Sequence, residues 1–209
     1  MIGHDYYKNR PVMNRILGNG VFLWPVNPVR LLLYEGQADG TAIAGANAAI
    51  AQVAAATGRR YEPTVAQNPA DVPSALASAD VFLIYGQQSA TDETLVQLGQ
   101  DWKTALTGFL LNGGTVIILD GDYSNAGTVQ ILSQAQNGGP PKLFAIARTA
   151  SATGDVCTVV ERGDALASGL PRTYLCEKNS TSFTINDTAS TITPVIADGT
   201  RTVVVHKIF

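Results

Sequence analysis

Three runs constrain this chain more than any other feature: Val29–Tyr34 (VRLLLY), Val81–Tyr85 (VFLIY) and Thr115–Asp120 (TVIILD). Each is apolar almost throughout rather than at alternate positions, and that is the signature of a strand buried on both faces. The segments between them have the helical period. Thr41–Thr57 is rich in alanine, with Ile43, Ala46, Ile50 and Val53 spaced to face a sheet, and Gly58 stands where a helix would end. Ser89 and Thr91 can cap a second helix whose Leu95, Leu98, Trp102, Leu106, Phe109 and Leu110 recur at three and four residues, until Asn112-Gly113-Gly114 stops it. Apolar strands alternating with amphipathic helices predict a parallel sheet covered on both sides. Tyr61–Ala66 (YEPTVA) reads as a further strand, placed toward the edge because Pro63 cannot donate to a ladder. Asp71–Asp80 (DVPSALASAD) reads as a short helix.

Outside this repeat the pattern changes. Pro11–Trp24 can form an amphipathic helix with Val12, Ile16 and Leu17 on one face, and residues 1–27 read as an N-terminal extension to an α/β domain at 28–209. Gly18-Asn19-Gly20 reads as a turn within it. After residue 125, Val129, Ile131, Leu132 and Ala135 suggest a helix, and Gly138-Gly139-Pro140-Pro141 breaks it. The segments 142–147, 156–161, 181–185, 190–197 and 200–209 are then strand-like, and we expect them to add antiparallel strands at the sheet edge. The termini echo each other, MIGHDYY against VVVHKIF, which raises the prospect of tandem units in a longer protein.

Charge excludes one class of partner. The net charge is −3, and the 14 Lys and Arg residues are scattered, with no run longer than Arg59-Arg60. A nucleic-acid backbone requires a concentrated basic face, so none is expected to bind. No apolar stretch approaches the ~20 residues needed to span a bilayer. Two cysteines, Cys157 and Cys176, are candidates for a disulfide, whose loop closure would be worth about 3 kcal/mol. Few lysines and much Ala, Thr, Ser, Asn and Gln favour an extracellular, periplasmic or cell-surface location. Asn179-Ser180-Thr181 and Asn186-Asp187-Thr188 match the glycosylation pattern, which arises often by chance in such chains.

Ligands of an open parallel sheet collect beyond the carboxyl ends of its strands. There this chain places Glu35 and Gln37, then Gln87 and Gln88, then Asp120, Asp122 and Ser124: a candidate pocket for a small polar ligand. Asp155, Glu161, Asp164, Glu177, Asp187 and Asp198 stand singly, so no metal site is expected. The segment 36–45 (GQADGTAIAG) precedes a helix as a phosphate loop would, but lacks the glycine spacing and the Lys-Ser/Thr of one, and a helix cap at Asp39 or Thr41 explains it.

The order of elements, the first strand LLLYEG, the long helix leading into NGGTVIILDGDYSNAG and the later GDALASGLP together resemble the class I glutamine amidotransferase-like superfamily, nearest to its trehalose-utilisation-like, flavodoxin-like members. The resemblance spans residues 28–209. It implies an α/β flavodoxin-like three-layer sandwich with a mostly parallel central sheet and extra C-terminal edge strands. In active members a cysteine in a tight turn after a central strand attacks the glutamine amide, helped by a histidine and an acidic partner. Here the equivalent turn, near Gly121–Asn125, holds no cysteine, and His4 and His206, the chain's two histidines, lie near the termini. Catalytic residues are therefore assigned to none, and no cofactor is expected. Ser124 could replace the thiol only with one of those histidines as base. A rival resemblance comes from VIILDGD, which matches the Asp-x-Asp turn of haloacid-dehalogenase-like phosphatases, with Asp120 as nucleophile, Asp122 as acid/base and a magnesium ion alongside. That motif normally opens its fold, and here several strand–helix units precede it. The reading we carry forward is a non-catalytic module of an exported or cell-surface protein, binding a ligand at the strand ends or packing against sister domains or copies of itself. The alternative is a hydrolase using Asp120 and Asp122. An enzyme should bring two titratable groups to a common point beside a cleft, whereas an inert edge should show the aspartates capping backbone NH groups or facing water.

Overall fold

The computed structural model describes residues 1–133, 143–152, 156–186 and 191–208. Ala135, the 138–141 break, Asp155 and the Asp187-Thr188 half of the second glycosylation match lie outside them. Its elements run α1 (Pro11–Val21), β1 (Val29–Tyr34), α2 (Gly40–Thr57), β2 (Tyr61–Ala66), α3 (Val72–Ala75, flanked by 3-10 turns), β3 (Val81–Ile84), α4 (Asp92–Leu111), β4 (Thr115–Ile118) and α5 (Gln130–Ser133). Then follow β5 (Ile146–Ala152), β6 (Val156–Val159), β7 (Thr173–Leu175), β8 (Ser180–Ile185), β9 (Ile192–Asp198) and β10 (Arg201–Lys207).

The fold is mixed α/β. Strands β2-β1-β3-β4 form a four-stranded parallel sheet with β2 outermost, where Pro63 had placed it. Successive residues of β1 serve opposite cores: Leu31 and Leu33 pack with Ile16, Leu17 and Ile50 of α1 and α2, whereas Leu32 and Tyr34 pack with Trp102 and Leu106 of α4. The helix signals are realised locally. Asp39 caps α2 by accepting from the amides of Thr41 and Ala42, Gly58 ends it at φ 67°, and Thr91 caps α4 through the Thr94 amide. Gly18-Asn19-Gly20, read as a turn, is helical and belongs to α1. The glycine is there for contact, since a Cβ on Gly18 would lie 2.4 Å from Val53 of α2.

The second half builds a sheet of its own. Strands β5-β8-β10-β9-β6-β7 form a six-stranded antiparallel sheet rather than a few edge additions. Cys157 of β6 and Cys176, just past β7, are joined by a disulfide with a Cα–Cα distance of 5.5 Å, and both are buried.

Residues 1–4 join the two sheets. Ile2 bridges Leu119 in parallel and Val204 antiparallel, and Gly3 donates to the Val203 carbonyl and accepts from the Thr181 amide. The echoing termini are therefore neighbours in space. Since this short segment runs parallel to β4, its carboxyl end emerges on the same edge as the ends of β1, β3 and β4.

Candidate functional site

Parallel pairing brings residues 35–37, 86–89 and 120–124 to one edge of the sheet. What their side chains do there differs from residue to residue. Gln87 is fully buried and its amide is used internally: Oε1 accepts from the Gln37 amide at 2.8 Å, and Nε2 donates to the carbonyls of Tyr85 at 2.8 Å and Glu35 at 3.4 Å. It clamps the ends of β1 and β3 together. Gln88 accepts from the Tyr7 hydroxyl at 2.7 Å. Glu35 is half-buried and accepts from Gln67 at 3.4 Å, while the Gln37 side chain is exposed.

The two aspartates part company. Asp120 is fully buried, with Oδ1 accepting from the Gly121 amide at 3.0 Å and Oδ2 from the Val129 amide at 3.2 Å. Burial pushes its carboxyl up to about 6, against the pull of those amides and of Arg148. Asp122 and Ser124 are exposed, and the Asp122 backbone amide donates to the Asn179 carbonyl at 2.8 Å. The pair thus flanks no common point.

The turn after β4 is wrapped around a cation supplied by the chain itself. The Arg148 guanidinium, reaching over from β5, donates to the carbonyls of Gly121 at 2.9 Å, Tyr123 at 2.7 Å and Asn125. Asn125 is buried as well: its amide nitrogen donates to the carbonyls of Gln87 and Ala90, both at 2.9 Å, and its oxygen accepts from the Gly127 amide. Gly127 sits at φ 97°, and a Cβ there would fall 2.6 Å from Asp120 Oδ2. The Tyr123 phenol lies across Gly86, where an added Cβ would meet its oxygen at 2.0 Å. Burial raises that phenol well above its ordinary value. Tyr123 thus fills the space beside Gly86 and Gly121, at the ends of β3 and β4.

Residues from the N-terminal segment complete the edge. Asp5 is buried, accepts from the Tyr7 amide at 2.7 Å and also bonds the Asn179 side chain; burial raises its carboxyl. His4 is fully buried between Ser180 Oγ at 3.0 Å and the Tyr174 hydroxyl at 2.6 Å, and desolvation lowers it to about 3. Both its ring nitrogens are occupied, so it is no base for Ser124. His206 pairs through Nδ1 with Asp164 at 2.8 Å and lines a cavity beside residues 113–117, at the opposite end of β4 from Ser124. Sequence reasoning does not single out Asp5, Tyr7 or Arg148 as edge residues. The first two carry a signal, because GHDYY turns from apolar to polar in the manner of ILDGDYS; Arg148 carries none.

Among the described residues no group of three or more His, Cys, Asp or Glu side chains is disposed to hold a metal ion. Two cavities, of about 690 and 480 Å³, open at the other end of the parallel sheet, around Arg30, Asp80 and Gly113-Gly114. No helix among the described residues is long and apolar enough to cross a membrane. No protein-family model, curated protein or solved structure matches this chain.

Proposed function

We propose that this chain is a non-catalytic α/β module of an exported or cell-surface protein, built on a flavodoxin-like three-layer core and related to the amidotransferase-like superfamily. It binds a small polar partner on the rim formed by Glu35, Gln37, Gln88, Asp122 and Ser124, or packs that rim against sister domains. One observation carries the reading: Asp120 spends both carboxylate oxygens on backbone amides while Asp122 faces water, so these two aspartates do not act on a common point. The placement of Tyr123 over Gly86 supports it, as does the engagement of both histidines elsewhere. The disulfide favours an oxidising compartment.

Turnover assays test the inert reading. Purified protein with and without millimolar Mg²⁺ is expected to leave glutamine, p-nitrophenyl phosphate and p-nitrophenyl acetate at the buffer rate. A rate above background that Asp122→Asn removes while the variant stays folded would overturn it in favour of the hydrolase.

A further inference from the structure

The cavity of about 480 Å³ lies far from the crest and combines two features found together in ligand sites: an apolar wall and a held polar group. Its walls include Leu23, Trp24, Leu110, Leu111, Phe144 and Ile208, from the end of α4 and from the residues just after α1, before β5 and after β10. Leu111 and Ile208 are 72% and 70% exposed and Trp24 is 44% exposed, so the most water-accessible large apolar side chains of this end surround one opening. Leaving them in water forfeits burial worth ~25 cal/mol per Å².

The polar group is His206. Asp164 bonds its Nδ1 at 2.8 Å, and Asp164 is itself fixed, accepting from the Leu166 amide at 2.8 Å through its other oxygen. A carboxylate only accepts, so Nδ1 carries the proton, and in the neutral tautomer Nε2 is an acceptor. Nε2 has no hydrogen-bond partner among the described residues. The two neighbouring amino groups are hydrogen-bonded to backbone carbonyls. Lys207 donates to the Leu143 carbonyl at 3.1 Å and sits over the Phe144 ring, and the Met1 amino group donates to the Val205 carbonyl at 2.7 Å. A hydroxyl finds an oriented acceptor there in Nε2.

We infer that this cavity binds an apolar molecule bearing one hydroxyl, an alcohol or phenol, whose body lies against Trp24, Leu111 and Ile208 and whose O–H donates to His206 Nε2. This site is independent of the crest. The inference stands or falls without the inert reading of Asp120 and Asp122.

The test uses 4-pentylphenol, its methyl ether 4-pentylanisole, and the intact protein at pH 8. Trp24 fluorescence reports occupancy, since the other tryptophan, Trp102, is buried in α4. Nitrogen-15 spectra of the two histidines report the contact, with His4 as internal control. The phenol is expected to bind saturably, to shift the His206 Nε2 signal but not that of His4, and to outbind the ether by about three- to tenfold, the effect of one hydrogen bond. His206→Phe should bring the phenol down to the ether's affinity. Equal binding of phenol and ether to the unmodified protein would overturn the proposal, and that comparison needs no variant to fold. Absence of saturable binding would overturn it as well.

Discussion

The two ends of the parallel sheet are built in opposite ways. The carboxyl end is polar and closed: Gln87, Asn125, Asp120 and Arg148 direct their hydrogen-bonding groups at the backbone of neighbouring loops, and Tyr123 packs against Gly86 and Gly121. The amino end is more open and exposes large apolar side chains, with Trp24, Leu111 and Ile208 in water around a cavity. The contrast teaches that polar residues after a buried strand are poor evidence of a site until their partners are known. The same carboxylate that would serve chemistry in an open crest serves as a loop cap in a closed one.

Four experiments could break this contrast. The largest effect is expected at Arg148, where Arg148→Ala strips three carbonyls of their donor and removes the charge beside Asp120. Urea unfolding should show a loss of roughly 3–5 kcal/mol, and a loss under 1 kcal/mol would mean that the crest is not held from β5.

His4 gives the next effect. Its folded value of about 3 lies below the unfolded 6.5, so the neutral ring is the one the fold accepts. Its contribution is complete above pH 6.5 and declines as pH falls toward 3, by about 1.4 kcal/mol per unit at most. His4→Gln should flatten that stretch of the stability–pH curve; an unchanged slope would show that His4 is not the group responsible. Reduction of the Cys157–Cys176 disulfide should cost about 3 kcal/mol, read as a shift in the urea midpoint, and a negligible shift would show that the β6–β7 pairing needs no staple. The smallest effects belong to the exposed rim. Asp122→Ala and Ser124→Ala should each change stability by about 0.5 kcal/mol or less, and a larger loss from either would contradict its exposed position.

How much of this was legible varied with the range of the interactions. β1, β3, β4, α2 and α4 could be read from the sequence because a strand buried on both faces and a capped amphipathic helix are local patterns. Strand-like segments in the second half became β6, β8, β9 and β10, yet their order in space left no local trace. The segment 142–147 has a strand-like pattern, but Leu143 and Phe144 precede β5, with Phe144 buried in the core against α5. β7 was too short to show a period. The N-terminal tie was hidden for a different reason: two residues, Ile2 and Gly3, pair with strands more than a hundred positions away. At the crest the sequence displayed the polar residues but not their direction, because the guanidinium that organises the 120–127 turn comes from β5.

The central claim is that the crest is closed upon itself, and the carbon-13 titration of the Asp120 side chain tests it most directly. A carboxyl buried against the amides of Gly121 and Val129 should titrate near pH 6, with no response to millimolar Mg²⁺. An ordinary carboxylate value of about 4, together with a saturable shift of the Asp120 signal on adding Mg²⁺, would contradict the account.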